Sequence, residues 1–271
     1  MPLLPELLSP AGSEECLYAA IENGADAVYF GLAKPYNFNA RGRAENIPIE
    51  KLGDTMSTLH RRGVKGYIAL NTLVQFDELP TVESLLREAI VAQIDAVIVQ
   101  DIGVAVLARR LCPDLPIHAS TQMSLTSAAS IVQAAALGIS RVILPRELSI
   151  KQISELRRST EVELECFIHG ALCISYSGQC YASLGLGGRS ANRGCCAQPC
   201  RLPYSVVQTD TKQKPILSPH DFAALPLLPK LVATGIHAFK IEGRLKPPEY
   251  VAEVTRVYRE ALDRSLTPSA Q

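Results

Sequence analysis

The chain has no tryptophan, and only 6% of its 271 residues are aromatic. It contains no run of the roughly 18 apolar residues that a transmembrane helix needs, and its start lacks a secretory signal pattern. Formal charges cancel, with 27 basic and 27 acidic side chains. This balance argues against a disordered chain and against a generally polycationic one. We therefore expect a cytoplasmic protein with no membrane partner.

Cysteine is also scarce, because eight cysteines in a chain of this length are too few for a secreted disulfide scaffold. Cys16, Cys112 and Cys166 lie in apolar contexts, where a cysteine usually acts as a small buried hydrophobe. The other five lie between Cys173 and Cys200. In a reducing compartment, such clustering indicates metal binding or catalysis rather than cross-linking.

Short apolar runs alternate with helical patterns along the chain. Eight such runs begin at Glu6, Ala25, Lys65, Asp95, Pro116, Arg141, Glu163 and Ala238. Strands that alternate with helices pair in parallel through right-handed crossovers, and eight of them match a closed (β/α)8 TIM-type barrel. An open doubly wound sheet is the alternative, but it usually has a glycine-rich first turn, which is absent here. We predict one barrel domain over residues 1–271.

The spacing of the predicted strands points to the functional end of the barrel. The seventh and eighth strands start 75 residues apart, far more than any other neighbouring pair. The excess follows strand seven, on the C-terminal face where barrels build their active sites. The sequence therefore predicts a cysteine-rich insertion at about residues 169–216, on the catalytic rim.

Four cysteines of this insertion form a candidate metal site. They are Cys173, Cys180, Cys196 and Cys200. Four thiolates suit either a tetrahedral zinc ion or an iron–sulfur cluster, and disulfides or reactive thiols are less compatible with a reducing cell. Cys195 is left out, because neighbours in extended backbone face opposite sides. Spacing alone leaves cluster and zinc open, although zinc sites usually have two short Cys hooks and this segment has one.

Charge in this region has one sign only. Between Cys166 and Thr209 there is no Asp, Glu or Lys, and the charged residues are Arg189, Arg193 and Arg201. Guanidinium groups bind carboxylates and phosphates bidentately, so the pattern predicts an anionic partner. Three tyrosines interleave with the arginines: Tyr176, Tyr181 and Tyr204. Together they are a candidate surface for base stacking and phosphate contacts, or they pack against the barrel.

Polar residues at the ends of the predicted strands complete the candidate site, because such side chains point over the barrel mouth. The candidate catalytic residues are His169, Glu242, Glu147, Asn71 and Gln122. The candidate substrate-binding residues, beside Arg189 and Arg193, are Arg41, Arg43, Arg146, Arg244 and Lys240. Glu242 and Glu147 are candidate general bases, or they pair with Arg244 or Arg146. His169 is a proton shuttle or a structural histidine.

Five motifs of the chain resemble one known family. ELLSPAG, ADAVYFG, HGALCISYSGQC, RSANRGCCAQPCRLPY and FKIEGR together look like the peptidase U32 family, over nearly the whole chain. The fourth motif is most similar to the branch that hydroxylates a cytidine of 23S ribosomal RNA, and a sister branch hydroxylates tRNA uridine. The resemblance implies a barrel, an oxygen-sensitive [4Fe-4S] cluster on Cys173, Cys180, Cys196 and Cys200, an RNA substrate, and prephenate as the hydroxyl donor.

Two other functions remain open from the sequence. A peptidase would need Cys173 and His169 as its nucleophile and base, because neither an HExxH nor a GxSxG motif is present. The other is a non-catalytic subunit of a hetero-oligomer that hydroxylates a quinone precursor, and the sequence leaves both a homo- and a hetero-oligomer open. Members of the ribosomal RNA branch carry a long C-terminal extension. We expect that extension to be absent from this sequence.

Overall fold

The computed structural model describes residues 4–205 and 214–266. Eight parallel strands close into a barrel with helices between them, as the sequence predicts. They are β1 (Glu6–Ala11), β2 (Ala27–Phe30), β3 (Lys65–Leu70), β4 (Ala96–Val99), β5 (Ile117–Ala119), β6 (Arg141–Ile143), β7 (Glu163–Gly170) and β9 (Ala238–Ile241). The pairing of β9 with both β7 and β1 closes the ring. A two-residue strand, β8 (Phe222–Ala223), pairs antiparallel with the end of β7.

The helices cover the outside of the barrel with their apolar faces. They are α1 (Glu14–Glu22), α2 (Leu52–Arg61), α3 (Leu79–Val91), α4 (Ile102–Leu111), α5 (Ala128–Ala136), α6 (Ile150–Ser159), α7 (Ala182–Gly187), α8 (Leu228–Val232) and α9 (Pro248–Leu266). Ser13 caps α1 by accepting the amide hydrogen of Cys16, and Gly24 ends the turn with a positive φ of 87°. Within the described ranges, no helix is long and apolar enough to cross a lipid bilayer.

A chain of ion pairs lies in the barrel interior below the mouth. The Glu165 carboxylate is fully buried and lies 3.1 Å from the Lys240 ammonium and 3.4 Å from the Arg141 guanidinium. Arg141 also pairs with Glu6 at 2.6 Å. Buried charges must be compensated, and these partners lie on neighbouring strands, so the network ties the strands together. It also fixes Lys240 at the floor of the space described next.

Candidate functional site

The segment after β7 crosses the C-terminal face of the barrel, and we call residues 171–205 the roof. The roof holds α7 and two 3₁₀ turns, Ala191–Arg193 and Pro199–Arg201. The Glu147 carboxylate accepts the amide hydrogen of Ser177, and the Leu73 amide donates to the Asn192 carbonyl at 2.9 Å. The roof is thus fastened to two barrel loops. Residues 206–213 of the predicted insertion lie outside the described residues.

A bidentate ion pair adds a further fastening. Both terminal nitrogens of Arg193 bind the Glu78 carboxylate, at 2.5 and 2.6 Å, and one also donates to the Leu73 carbonyl at 2.8 Å. The hydrogen bonds from Arg193 hold the pKa of Glu78 below its usual value despite its partial burial. Arg193, a predicted substrate ligand, is therefore already engaged by a carboxylate of the barrel.

Arg201 joins the two ends of the roof. Its guanidinium donates to the Leu172 carbonyl at 2.8 Å and to the Pro219 carbonyl at 2.6 Å. Cys173 and Cys200 adjoin Leu172 and Arg201 in the chain, so the same contacts bring these two cysteine-bearing segments together. Arg201 thus positions the thiols, and its terminal nitrogens are engaged by two backbone carbonyls and the Ser218 hydroxyl.

Two glycines allow the roof backbone to touch the barrel loops. A Cβ on Gly178 would lie 2.0 Å from the Gln122 carbonyl oxygen, and one on Gly194 would lie 2.4 Å from the Asn39 carbonyl oxygen. Both glycines also have positive φ angles, 77° and 72°. These are backbone contacts, so no side-chain rotation can make room for a methyl group.

Replacing Gly178 by alanine is therefore expected to loosen the roof and to destabilise the fold by about 1–3 kcal/mol through backbone strain alone. Gly185→Ala is the matched control, because a Cβ at Gly185 meets nothing within 4 Å. Thermal unfolding and limited proteolysis between residues 171 and 205 would measure both effects. Equal melting temperatures and equal cleavage rates for the two variants would contradict the contact at Gly178.

A cavity of about 190 Å³ lies between the roof and the barrel mouth. The barrel contributes, among other residues, Tyr29, Arg41, Asn71, Gln122, Arg146, Phe167, Lys240, Glu242 and Arg244. The roof contributes Cys173, Tyr176, Cys180, Asn192, Cys196 and Cys200. Most of the residues predicted from the sequence are thus brought together around one space.

Glu242 lies between two guanidinium groups. One carboxylate oxygen accepts hydrogen bonds from Arg146 at 2.8 Å and from Arg41 at 3.0 Å. Burial favours the neutral acid, but the charges of Arg41, Arg146 and Arg244 outweigh it and lower the pKa of Glu242 to about 2. The sequence left Glu242 as either a general base or an ion-pair partner of an arginine, and the geometry supports the ion pair. A carboxylate with so low a pKa is a weak base at neutral pH.

Arg244 contributes a buried, unused donor to the cavity. It is 4% exposed, and burial lowers its pKa to about 10. One terminal nitrogen donates to the Asn39 side chain at 2.9 Å, while its Nε has no partner among the described residues. Buried guanidinium groups are normally paired with an anion. Within residues 4–205 and 214–266 no carboxylate forms an ion pair with Arg244, so this position suits an anionic ligand.

Two amides arrange the loop that carries Arg41. The Asn39 side-chain oxygen also accepts the Arg41 amide hydrogen at 3.1 Å, and Asn71 accepts the amide hydrogen of Ala40 at 3.0 Å. Asn71 is therefore placed as a positioning residue. The side-chain oxygen of Gln122 is buried and has no partner in the described part of the chain, which leaves one acceptor for a ligand. The role of Asn39 is not predictable from the sequence, because no motif distinguishes a loop asparagine whose side chain is buried.

The remaining predicted residues lie away from the cavity. The His169 Nδ1 is 3.3 Å from the Tyr258 hydroxyl, and its ring packs against Tyr258 and Tyr250 of α9. Burial lowers the pKa of His169, which favours the neutral ring. Arg43 and Arg189 are exposed, and the Arg189 Nε donates to the Cys195 carbonyl at 3.1 Å.

The four predicted ligand cysteines all line the cavity, whereas Cys195 does not. Burial raises the pKa of the Cys200 thiol, and the neighbouring Cys173 and Cys196 raise it further. In the described ranges, however, no three His, Cys, Asp or Glu side chains are grouped closely enough to hold one metal ion. The four thiols suit a metal group that is held by thiolates, because all four line the same cavity and the roof contains no carboxylate. Binding there requires the thiols to move closer together.

Comparison with known proteins identifies relatives over almost the entire chain. The family described as peptidase family U32 matches residues 12–271. A 23S rRNA 5-hydroxycytidine synthase of Escherichia coli is 39% identical, over 95% of this chain and 39% of its own length. A tRNA hydroxylation protein of Bacillus subtilis is 36% identical, over 96% of this chain and 63% of its own.

Two further similarities bear on function and fold. A collagenase of Porphyromonas gingivalis is 35% identical, over 95% of this chain and 65% of its own length. The chain thus spans from 39% to 65% of the length of these three relatives. The solved structure of the U32 peptidase Mk0906 superposes with a TM-score of 0.59 at 13% identity, covering 90% of this chain and 95% of that one. That likeness supports the barrel fold.

Proposed function

The chain belongs to peptidase family U32, and on that premise we propose that it is an enzyme that hydroxylates RNA in the cavity beneath the roof. The product would be 5-hydroxycytidine in 23S rRNA or 5-hydroxyuridine in tRNA. The observation that carries this proposal is the pair of relatives named for rRNA and tRNA hydroxylation, each aligned over at least 95% of this chain. An RNA substrate is also consistent with the predicted cytoplasmic location.

We propose that Cys173, Cys180, Cys196 and Cys200 would hold a [4Fe-4S] cluster, with zinc as the alternative. Such a cluster supplies redox-active iron, and here it would face the cavity from the roof. Support comes from the shared cavity wall and from the Arg201 contacts that bring the segments of Cys173 and Cys200 together. The roof itself would exclude bulk water from the bound base.

We further propose that the arginines of the barrel mouth bind the hydroxyl donor, a small dicarboxylate such as prephenate. Arg244 offers a buried Nε hydrogen, and Arg41 and Arg146 surround Glu242 on the same cavity wall. A guanidinium that is already buried loses little hydration when an anion arrives, so its charge-assisted hydrogen bonds are strong. Asn71 and Asn39 would keep Arg41 and Arg244 in place for that contact.

The test is mass analysis of nucleosides from ribosomal and transfer RNA of cells with and without the gene. We expect a hydroxylated pyrimidine to disappear on deletion and to return when the gene is restored. An Arg244→Met variant of the gene should fail to restore the hydroxylated pyrimidine, because the buried guanidinium binds the hydroxyl-donor molecule. Identical nucleoside profiles in all strains would contradict RNA hydroxylation.

Peptidase activity is the second candidate, because one relative is named a collagenase. The only local pair for it, Cys173 and His169, receives no support from the geometry. Cys173 lines the cavity, whereas His169 packs against α9, and no hydrogen bond between the two occurs in the described residues.

A third candidate is a subunit of a complex that hydroxylates a quinone precursor. In that case a second barrel protein should co-purify with this chain.

A further inference from the structure

The outer surface of the roof is unusually apolar. Five side chains form what we call the roof face, and their exposed fractions are 54% for Ile174, 67% for Tyr176, 61% for Tyr181, 43% for Leu184 and 74% for Leu186. All lie within 13 consecutive residues around α7. Isolated exposed apolar residues are normal, but a group of this kind next to a cavity marks a binding surface.

The roof face adjoins the cavity through Tyr176. This ring is largely exposed and also lines the cavity wall, so it belongs both to the roof face and to the cavity. Within the described residues, the hydroxyls of Tyr176 and Tyr181 make no hydrogen bond that fixes the rings to the protein. Both aromatic planes are therefore free to be covered by a ligand.

The charge around the roof face favours an anionic chain. Residues 167–205 contain no carboxylate and no lysine. Arg193 and Arg201 are engaged by Glu78 and by backbone carbonyls. Arg189 is exposed, and among the described residues it commits only its Nε, to the Cys195 carbonyl. Its terminal nitrogens remain available to a phosphate. Exposed aromatic rings and an exposed arginine in one segment that itself contains no acidic residue are a combination that suits single-stranded nucleic acid.

We propose that Tyr176 and Tyr181 stack unpaired nucleotides of a single-stranded RNA, next to the base that enters the cavity, and that Arg189 contacts a neighbouring phosphate. This inference rests on the proposed RNA substrate and specifies how it is held. Every base offers an aromatic plane, so the contact tolerates different sequences around the target. Loss of either ring is expected to weaken binding of single-stranded RNA about 5- to 100-fold.

The absence of tryptophan allows a site-specific test. Tyr176→Trp and Tyr181→Trp each introduce a single tryptophan into the roof face. Tyr18→Trp is the matched control, because Tyr18 is 46% exposed on α1, outside the roof. Each purified variant is titrated with a single-stranded oligonucleotide of about 12 nucleotides, which covers a usual single-strand site. Stacking of bases is expected to quench the tryptophan at both roof positions and not at the control.

Affinity measurements complete the test. Tyr181→Phe should keep the affinity of wild type, and Tyr181→Ala should weaken it about 5- to 100-fold. Arg189→Gln should reduce the slope of log affinity against log salt by about 0.7. Equal quenching at Tyr18→Trp, or none in the roof, would overturn the stacking role. A blue shift of roof tryptophans that grows with protein concentration without RNA would overturn it too, because a protein surface then covers the roof face. If Tyr176→Ala and Tyr181→Ala cells keep their hydroxylated nucleosides, RNA hydroxylation stands while the stacking role falls.

Discussion

Replacement of Cys200 by serine is expected to abolish iron binding and the formation of the hydroxylated nucleoside. The thiol lines the same cavity as those of Cys173, Cys180 and Cys196, so it is available as the fourth ligand of a group bound there. A serine hydroxyl is a poor ligand for iron compared with a thiolate, and loss of one of four ligands leaves a labile cluster. Iron and acid-labile sulfide per chain, measured after anaerobic purification, give a readout that does not depend on activity.

The adjacent pair Cys195 and Cys196 supplies the matched control. Cys195 is exposed and does not line the cavity, whereas Cys196 does. Cys195→Ser is therefore expected to retain iron and activity, and Cys196→Ser to lose both. A colourless wild-type protein with stoichiometric zinc would contradict the cluster, and equal iron loss in the two variants would contradict the assignment of ligands.

The barrel was predictable because its strands are buried on both faces and read as short apolar runs. The predicted starts at Glu6, Lys65, Arg141, Glu163 and Ala238 coincide with those in the structure. The other three strands begin one or two residues later than predicted, at Ala27, Ala96 and Ile117. Each of these is preceded by a residue that still belongs to the incoming turn. The identification of the family from its motifs is also confirmed.

The position of His169 was not predictable from alternation along β7. In a regular strand His169 would face the same side as Phe167, which lines the cavity. The pairing of β7 with β9 shifts register between these two residues, so one extra residue lies on β7. Such a bulge reverses the direction of the side chains that follow it. His169 consequently packs against α9.

The roles of the arginines were not predictable for a different reason. The sequence shows which segment is basic but not which carboxylate each guanidinium meets, because the partners are far apart in the chain. Arg193 pairs with Glu78, 115 residues away, and Arg146 with Glu242, 96 residues away. The closed barrel brings these loops together. Of the predicted anion ligands at the mouth, Arg244 alone proved to be buried without an ion pair among the described residues.

Replacement of Glu242 by glutamine is expected to destabilise the protein by about 3 kcal/mol, because Arg41 and Arg146 then share a cavity with Arg244 and lack their counter-charge. Glu83→Gln is the control, since it removes an exposed ion pair with Arg87 on α3, which is worth less than about 1 kcal/mol. Chemical denaturation measures both. Inorganic phosphate at a hundred times its dissociation constant should return up to about 2.7 kcal/mol to Glu242→Gln by binding the guanidinium groups that have lost their counter-charge.

The pH dependence of this difference has a definite sign. The pKa of Glu242 is lowered to about 2 in the folded protein, below the ordinary value of 4.5. A carboxylate whose pKa is lowered by folding stabilises the fold fully at a pH above its pKa in the unfolded chain. This contribution is lost as the pH falls through its pKa in the folded protein. The gap between wild type and Glu242→Gln should therefore be constant above about pH 5 and should narrow from there towards pH 2. If the stability difference instead changed near neutral pH, Glu242 would titrate in that range and could act as a general base. That result would contradict the role of Glu242 as the ion-pair partner of Arg41 and Arg146.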